Sequence, residues 1–275
     1  MKIDRRSLLA ASGIIAMAGP AWAQTASTLE HIKTSKKLRI GVTSAEPWFF
    51  KDPMSEAWTG VGISLGRQLA ADLGVELVPV ETTWANAIAA LQADQIDAMF
   101  VLDPTEERRK AIDFPEAPLF YYAPGALVKD GAAIKTWADL DKPDTRVGVT
   151  LGTSIDRMVT ETLKTATISR FSNNDEAIAA FAAHRVDAVA QFHPALVVQF
   201  ARLKLGHVIL PLPVVPVATS AGVRKEANPA FRDWLSTKFA EYYKDGKPQA
   251  WFSEYLKSKG IDPTTVPGLS KEQWS

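Results

Sequence analysis

The stretch "AIAALQADQIDAMFVLDP" at residues 87–104 returns as "AIAAFAAHRVDAVAQFHP" at residues 177–194, with eight identities in eighteen positions and no gap. Each copy runs from an alanine-rich segment with helical spacing, through a short polar turn, into an apolar run that ends in proline. Alanine-rich helices align readily by chance. The paired Asp97 and Asp187, and the paired Pro104 and Pro194, do not follow from composition. The repeat therefore reads as two similar α/β lobes.

The rest of the chain extends that pattern. "KKLRIGVTS", "VELVPVET", "IDAMFVL", "RVGVT", "RVDAVAQ" and "HVILPL" are short and rich in β-branched residues, as strands require. "VGISLGRQLAADLG", "WANAIAALQAD" and "NDEAIAAFAAH" place apolar residues at helical spacing. Strands alternating with helices predict an α/β fold. Ligands of open α/β sheets bind beyond the carboxyl ends of the strands, so the cleft between two such lobes is the place for a site. The first repeat puts Asp103 and then Arg108 past its strand, and the second puts Phe192 and His193 there.

Composition narrows the function. The 275 residues are 47% hydrophobic and 23% charged, with formal net charge zero, so nothing draws the chain to nucleic acid. The opening "MKIDRRSLLAASGIIAMAGPAWAQ" has a basic start, an apolar run from Leu8 to Ala18 and a small-x-small site at Ala21-Trp22-Ala23. It reads as an export signal spanning residues 1–23, removed in the mature protein. Arg5-Arg6 fits a twin-arginine signal and also an ordinary one. The apolar run falls short of the ~20 residues that cross a bilayer. Removing the segment takes away Lys2, Arg5 and Arg6 against Asp4, leaving a mature charge of about −2. There is no cysteine, hence no disulfide or lipid-modified cysteine. The expected location is the periplasm. His31, His184, His193 and His207 show no metal-ligand spacing, and neither "GISLG" nor "GVTLG" ends in the Gly-Lys-Ser/Thr of a phosphate loop. No metal or cofactor is expected.

The order of "LRIGVTSAEPWFF", "LGVELVPVETTWANAIAALQADQIDAM", Thr105-Glu106-Glu107-Arg108, "AIDFPEAPLFY", "RVGVTLGTS", "HRVDAV" and "AGVRKEANPAF" resembles the family 3 extracellular solute-binding proteins, periplasmic receptors of amino-acid ABC importers. The resemblance covers essentially the whole mature chain. It implies a two-lobed clamshell of the type II periplasmic-binding-protein class, each lobe a central sheet flanked by helices. The chain is expected to cross between lobes near Tyr121 to Gly125 and again near Val214 to Ser220. That divides it into lobe 1 at 24–122, lobe 2 at 123–217, and a return to lobe 1 at 218–275 with the C-terminal helices. The implied function is capture of a small carboxylate-bearing solute by closure, followed by delivery to a membrane permease. A monomer is expected.

In that family the arginine of T-x-E-R holds the ligand carboxylate, a role that passes to Arg108. A planar guanidinium grips a carboxylate through two parallel hydrogen bonds and keeps its charge. Across the cleft, "GVTLGTSIDRM" reads as a strand, a glycine turn and a helix start, where backbone N–H groups and the hydroxyls of Thr153 and Ser154 favour an anion. Ser154 also suits a plain helix cap.

Three positions depart from the family pattern. Phe192 stands where many members place an aspartate for the ligand ammonium. An ammonium buried without a partner costs several kcal/mol, so the solute lacks that group or finds another acceptor. Asp103 replaces a Ser or Thr that meets the carboxylate. Glu46 replaces a stacking aromatic, with Trp48 following as a wall. The resemblance also leaves open a periplasmic dehydratase of cyclohexadienyl type on the same fold, for which Glu46 or Asp103 is the acid candidate and His193 the runner-up.

Overall fold

A computed structural model describes residues 27–274. The expected export signal at residues 1–23 lies outside them. Among the described residues no helix is long and apolar enough to cross a membrane.

The strands are β1 (Lys37–Val42), β2 (Phe50–Lys51), β3 (Trp58–Thr59), β4 (Glu76–Glu81), β5 (Ala98–Leu102), β6 (Phe120–Tyr122), β7 (Pro124–Val128), β8 (Arg146–Thr150), β9 (Thr167–Phe171), β10 (Ala188–Phe192), β11 (His207–Ile209) and β12 (Val217–Val223). The helices are α1 (Thr28–Ser35), α2 (Val61–Leu73), α3 (Ala87–Gln92), α4 (Glu106–Ala111), α5 (Ser154–Thr162), α6 (Asn174–Ala182), α7 (His193–Leu203), α8 (Ala230–Lys244) and α9 (Lys247–Ser258).

Two five-stranded sheets form, in the orders β4-β1-β5-β12-β6 and β9-β8-β10-β7-β11. Written this way they are one topology used twice. In each, three parallel strands are followed by an antiparallel fourth, β12 against β5 and β7 against β10. Each fourth strand enters directly from the other sheet, because β6 is followed by β7 and β11 by β12. Each sheet carries helices, which makes two lobes of mixed α/β structure. The last two helices belong with the first lobe, α9 packing on α2 and α8 on α1.

The internal repeat has a physical core that its sequence only partly displays. Asp97 sits one residue ahead of β5, and its carboxylate accepts from the Arg39 backbone N–H at 2.7 Å and pairs with the Arg39 guanidinium at 2.6 Å. Asp187 sits one residue ahead of β10 and treats Arg146 the same way, with both contacts at 2.9 Å. Each arginine also donates to the backbone carbonyl at the preceding turn, Asp94 in one lobe and His184 in the other. Those two turn residues share a left-handed φ of 56°. The equivalence extends to "RIGVT" at 39–43 and "RVGVT" at 146–150, which fall on β1 in one lobe and β8 in the other. The Asp–Arg pairs thus pin β5 to β1 in one lobe and β10 to β8 in the other.

The two pairs differ in exposure. The Asp97 side chain is fully buried, whereas that of Asp187 is 24% exposed. Asp187 is held well below the ordinary carboxylate range by Arg146 and Lys129. Replacing Asp97 with Ala takes a fully buried carboxylate from the Arg39 backbone N–H and leaves the guanidinium with Asp94 alone, so we expect urea unfolding to report a loss of about 2–3 kcal/mol. Asp187→Ala should cost clearly less. Equal losses would contradict the ordering by burial.

Candidate ligand-binding site

The carboxyl end of β5 runs into α4, whose N-cap Thr105 accepts from the Arg108 N–H at 3.3 Å. That cap turns Arg108 toward the facing lobe, where the side chain is only 8% exposed. Its Nη1 donates to the Asp103 carbonyl at 2.9 Å and its Nη2 to the Gly152 carbonyl of the other lobe at 2.9 Å. Two of its five N–H donors are spent on backbone. Burial pulls its pKa down and Asp103 opposes that shift, but a guanidinium stays charged throughout the physiological range.

Asp103 is 3% exposed. One carboxyl oxygen accepts from the Tyr122 hydroxyl at 2.6 Å, and the other accepts from the Ser154 hydroxyl across the cleft. Burial raises its pKa, against the pull of Ser154, Tyr122 and Arg108. The Tyr122 ring lies flat on Phe192, with centroids 3.6 Å apart and planes 5° from parallel. Burial and the neighbouring Asp103 push the Tyr122 phenol far above its usual pKa. Trp48 meets Tyr122 edge-on at 6.1 Å and stacks on Phe120 at 5.0 Å.

These groups surround a cavity of about 30 Å³ that draws its walls from both lobes, enough for on the order of one or two waters. The lobes are drawn together around it. Glu107 pairs with Arg157 at 2.6 Å, and Ser44 donates to Asp175. Gly152 has φ +78°, and a Cβ there would lie 2.7 Å from the Ala85 Cα of the first lobe. Only glycine permits that approach.

Six of the eight residues nominated from sequence line this one cavity: Trp48, Asp103, Arg108, Thr153, Ser154 and Phe192. The alternative of Ser154 as a cap is settled by position. Thr153 is the N-cap of α5, accepting from the Asp156 N–H at 3.1 Å and donating to the Thr150 carbonyl at 2.7 Å. Ser154, one residue on, is left to reach Asp103.

The other two nominees lie elsewhere. Glu46 lines a larger chamber between the lobes, of about 830 Å³, where it accepts from the Tyr255 hydroxyl and pairs with Lys259 at 2.7 Å. His193 opens α7 at the crossing and is 1% exposed. Its Nδ1 accepts from the Ala123 N–H at 3.1 Å, so Nε2 carries the proton that goes to the Pro267 carbonyl at 2.9 Å. Both ring nitrogens are therefore occupied by backbone, one in the crossing and one in the C-terminal segment.

Sequence reasoning missed Trp84, Tyr122, Asn174 and Gln191, which complete the cavity together with Val101 and Leu102 of β5. Trp84 follows β4 and Asn174 follows the turn after β9, so the same strand-end rule that nominated Asp103 extends to them. Tyr122 gave no such signal.

Burial pushes the His193 pKa down to about 4 from an ordinary 6.5. The unfolded chain therefore binds a proton that the folded chain refuses between those values. Stability from this group is complete above about 6.5 and declines as pH falls toward 4, by up to about 3 kcal/mol. We expect His193→Phe to flatten that part of the stability-versus-pH curve in denaturant titrations, and an unchanged slope would remove His193 as its source.

The matches to known proteins follow the same outline. The model of the bacterial extracellular solute-binding proteins, family 3, matches residues 38–258. A glutamine-binding protein of an ABC transporter from Bacillus subtilis is 32% identical over 188 residues, covering 66% of this chain and 68% of its own length. The crystal structure of an ancestral amino acid-binding protein, described as a precursor of cyclohexadienyl dehydratase, superposes with a TM-score of 0.74 at 32% identity. It covers 84% of this chain and 99% of that one. A substrate-binding protein of an amino acid ABC transporter from Streptococcus pneumoniae, bound to L-arginine, gives 0.77 at 19% identity over 84% and 98%, which speaks to fold alone. The repeated sheet topology, the interlobe cleft and the matched span agree, and the chain belongs to the family 3 bacterial extracellular solute-binding proteins.

Proposed function

We propose that this chain is the periplasmic substrate-binding component of an ABC importer, capturing a small carboxylate-bearing solute, an amino acid or related organic acid, and passing it as a monomer to a membrane permease. The observation that carries this reading is the pairing of groups across the cleft. Arg108 and Asp103 from one lobe bond Gly152 and Ser154 from the other, so the full set of contacts exists only when the lobes are together.

In the open form the Arg108 donors now given to the Gly152 carbonyl are released to a solute carboxylate. The α5 N-terminus of the second lobe then closes on the same anion. A solute drives closure only through its differential affinity, and a 100-fold preference for the closed form shifts the equilibrium by ~2.7 kcal/mol. The site residues for this role are Arg108, Thr153, Ser154, Asp103, Trp48 and Phe192. The relatives named above, described as amino-acid-binding proteins of transporters, support the same class.

One observation favours a second reading, the dehydratase. Asp103 is a buried carboxyl beside aromatics with its pKa raised, as a general acid requires. It ranks second because both carboxyl oxygens are already held by hydroxyls, and neither Glu46 nor His193 reaches this cavity.

The test uses mature protein from Gln24, stripped of carried-over ligand by partial unfolding and screened by thermal shift against amino acids and organic acids. A stabilising acid should bind Arg108→Gln at least about 100-fold more weakly, the value of a lost charged hydrogen-bond pair. Undiminished binding would remove Arg108 as the anchor. Turnover of a prephenate-like substrate, in place of stoichiometric binding, would favour the dehydratase.

A further inference from the structure

The Arg108 cavity has almost no free volume, whereas the chamber lined by Glu46 has about 830 Å³, within the range of small-molecule sites. The two lie side by side: Asn173 lines the chamber and Asn174 the cavity, and Glu46 lines one while Trp48 lines the other. Arg108 also lines a space of about 520 Å³ with Thr153 and Ser154, and the chamber is the larger of the two volumes beside the cavity that can take the body of a solute anchored there.

The charges of the chamber are layered. Glu46 lies at the back with its side chain 10% exposed, and in front of it stand Arg202 at 53% and Lys259 at 39%. Lys259 is fixed at 2.7 Å from Glu46 and lies over the Phe50 ring at 4.8 Å. Arg202 is held loosely, 3.9 Å from Glu46 and 3.6 Å from Asp175, beyond hydrogen-bonding distance. Its one short contact is to the Gln199 Oε1 at 2.6 Å. The Nε2 of that same Gln199 is buried and has no hydrogen-bond partner. The remaining pair, Lys51 with Glu81, is closed on itself at 2.5 Å. The Gln199 amide lies behind the chamber wall, while Arg202 and Lys259 line it, so an acceptor arriving there would meet cations before it met Glu46. Phe50, Trp58, Val198 and Ile261 supply apolar wall between.

We infer that the chamber is a second recognition subsite, in which Arg202 and Lys259 bind a second anionic group at the far end of the solute. The class so defined is an elongated acid with an apolar body and anions at both ends. Glu46 acts as a positioning residue, holding Lys259 and setting the depth of the subsite. This rests on the reading of Arg108 as the anchor for the first carboxylate.

The experiment compares hexanoate with adipate, and benzoate with terephthalate, by calorimetry on ligand-free mature protein. The diacid of each pair should bind at least about tenfold tighter, a difference of about 1.4 kcal/mol. That advantage should fall to within about threefold in the Arg202→Gln, Lys259→Gln double variant, while Lys259→Arg retains it. If Lys259→Gln does not fold, Arg202→Gln alone decides. Equal affinity within each pair, a diacid advantage that survives the double variant, or no binding of any of the four acids would overturn the proposal. An Arg108→Gln variant that binds all four undiminished would instead overturn the anchor, and with it the reading of the site.

Discussion

A guanidinium that keeps its charge is buried between the lobes, and its two short hydrogen bonds go to carbonyls, one from each side of the cleft. A buried cation must be met by acceptors or it costs several kcal/mol. Separation of the lobes takes away the Gly152 carbonyl, so something must replace it, either water or a solute. The geometry of closure follows from that requirement. Gly152 must come close enough for its carbonyl to accept from Arg108, which only a residue without Cβ permits, since a Cβ there would lie 2.7 Å from the Ala85 Cα. Thr153 must cap α5 so that Ser154 points outward.

The same logic of paying for buried charge builds each lobe. Asp97 and Asp187 are anchored by arginines from the neighbouring strand, with backbone and side chain of one residue both engaged. This is why the repeat was legible in sequence. Both partners of the pair are fixed in identity, and the turn ahead of each aspartate is fixed in length. The match of "RIGVT" with "RVGVT" escaped notice because it lies at a different offset from the longer repeat. An ungapped comparison cannot see both at once.

What was not legible divides along physical lines. β6, β7, β9 and β12 carried no clear pattern: β6 has three residues, β7 opens on Pro124-Gly125, β9 interrupts its apolar residues with Ser169 and Arg170, and β12 is written in small residues, "VATSAGV". Their strand character comes from pairing across the sheet, which is a tertiary effect. Residues at strand ends were found because a general rule of α/β sheets places sites there. Tyr122 was not, since its ring reaches the cavity from a crossing strand and is held by Phe192, 70 positions away in sequence. His193 was placed in the site by its neighbour Phe192. One step further along, the chain has already entered α7, and the imidazole turns to the crossing.

The departures from the family pattern are related to one another. The resemblance places an acid on the second lobe, at the position of Phe192, and a hydroxyl on the first, at the position of Asp103. Here the acid is on the first lobe and the hydroxyl partner, Ser154, on the second. An acid opposite Arg108 adds its charge to the site only when the lobes meet, so charge itself rewards closure. An acid on the same lobe as Arg108 stands near it in the open state as well, so its charge adds no new attraction when the lobes meet. Closure must then draw on what the second lobe still brings: the Ser154 hydroxyl, the α5 N-terminus and the flat face of Phe192. Of these the aromatic face is indifferent to charge, and in the closed cleft it lies flat on the Tyr122 ring. The contacts across the Arg108 cavity are thus a hydroxyl on a carboxyl, a guanidinium on a carbonyl and two stacked rings, none of them a pair of opposite charges.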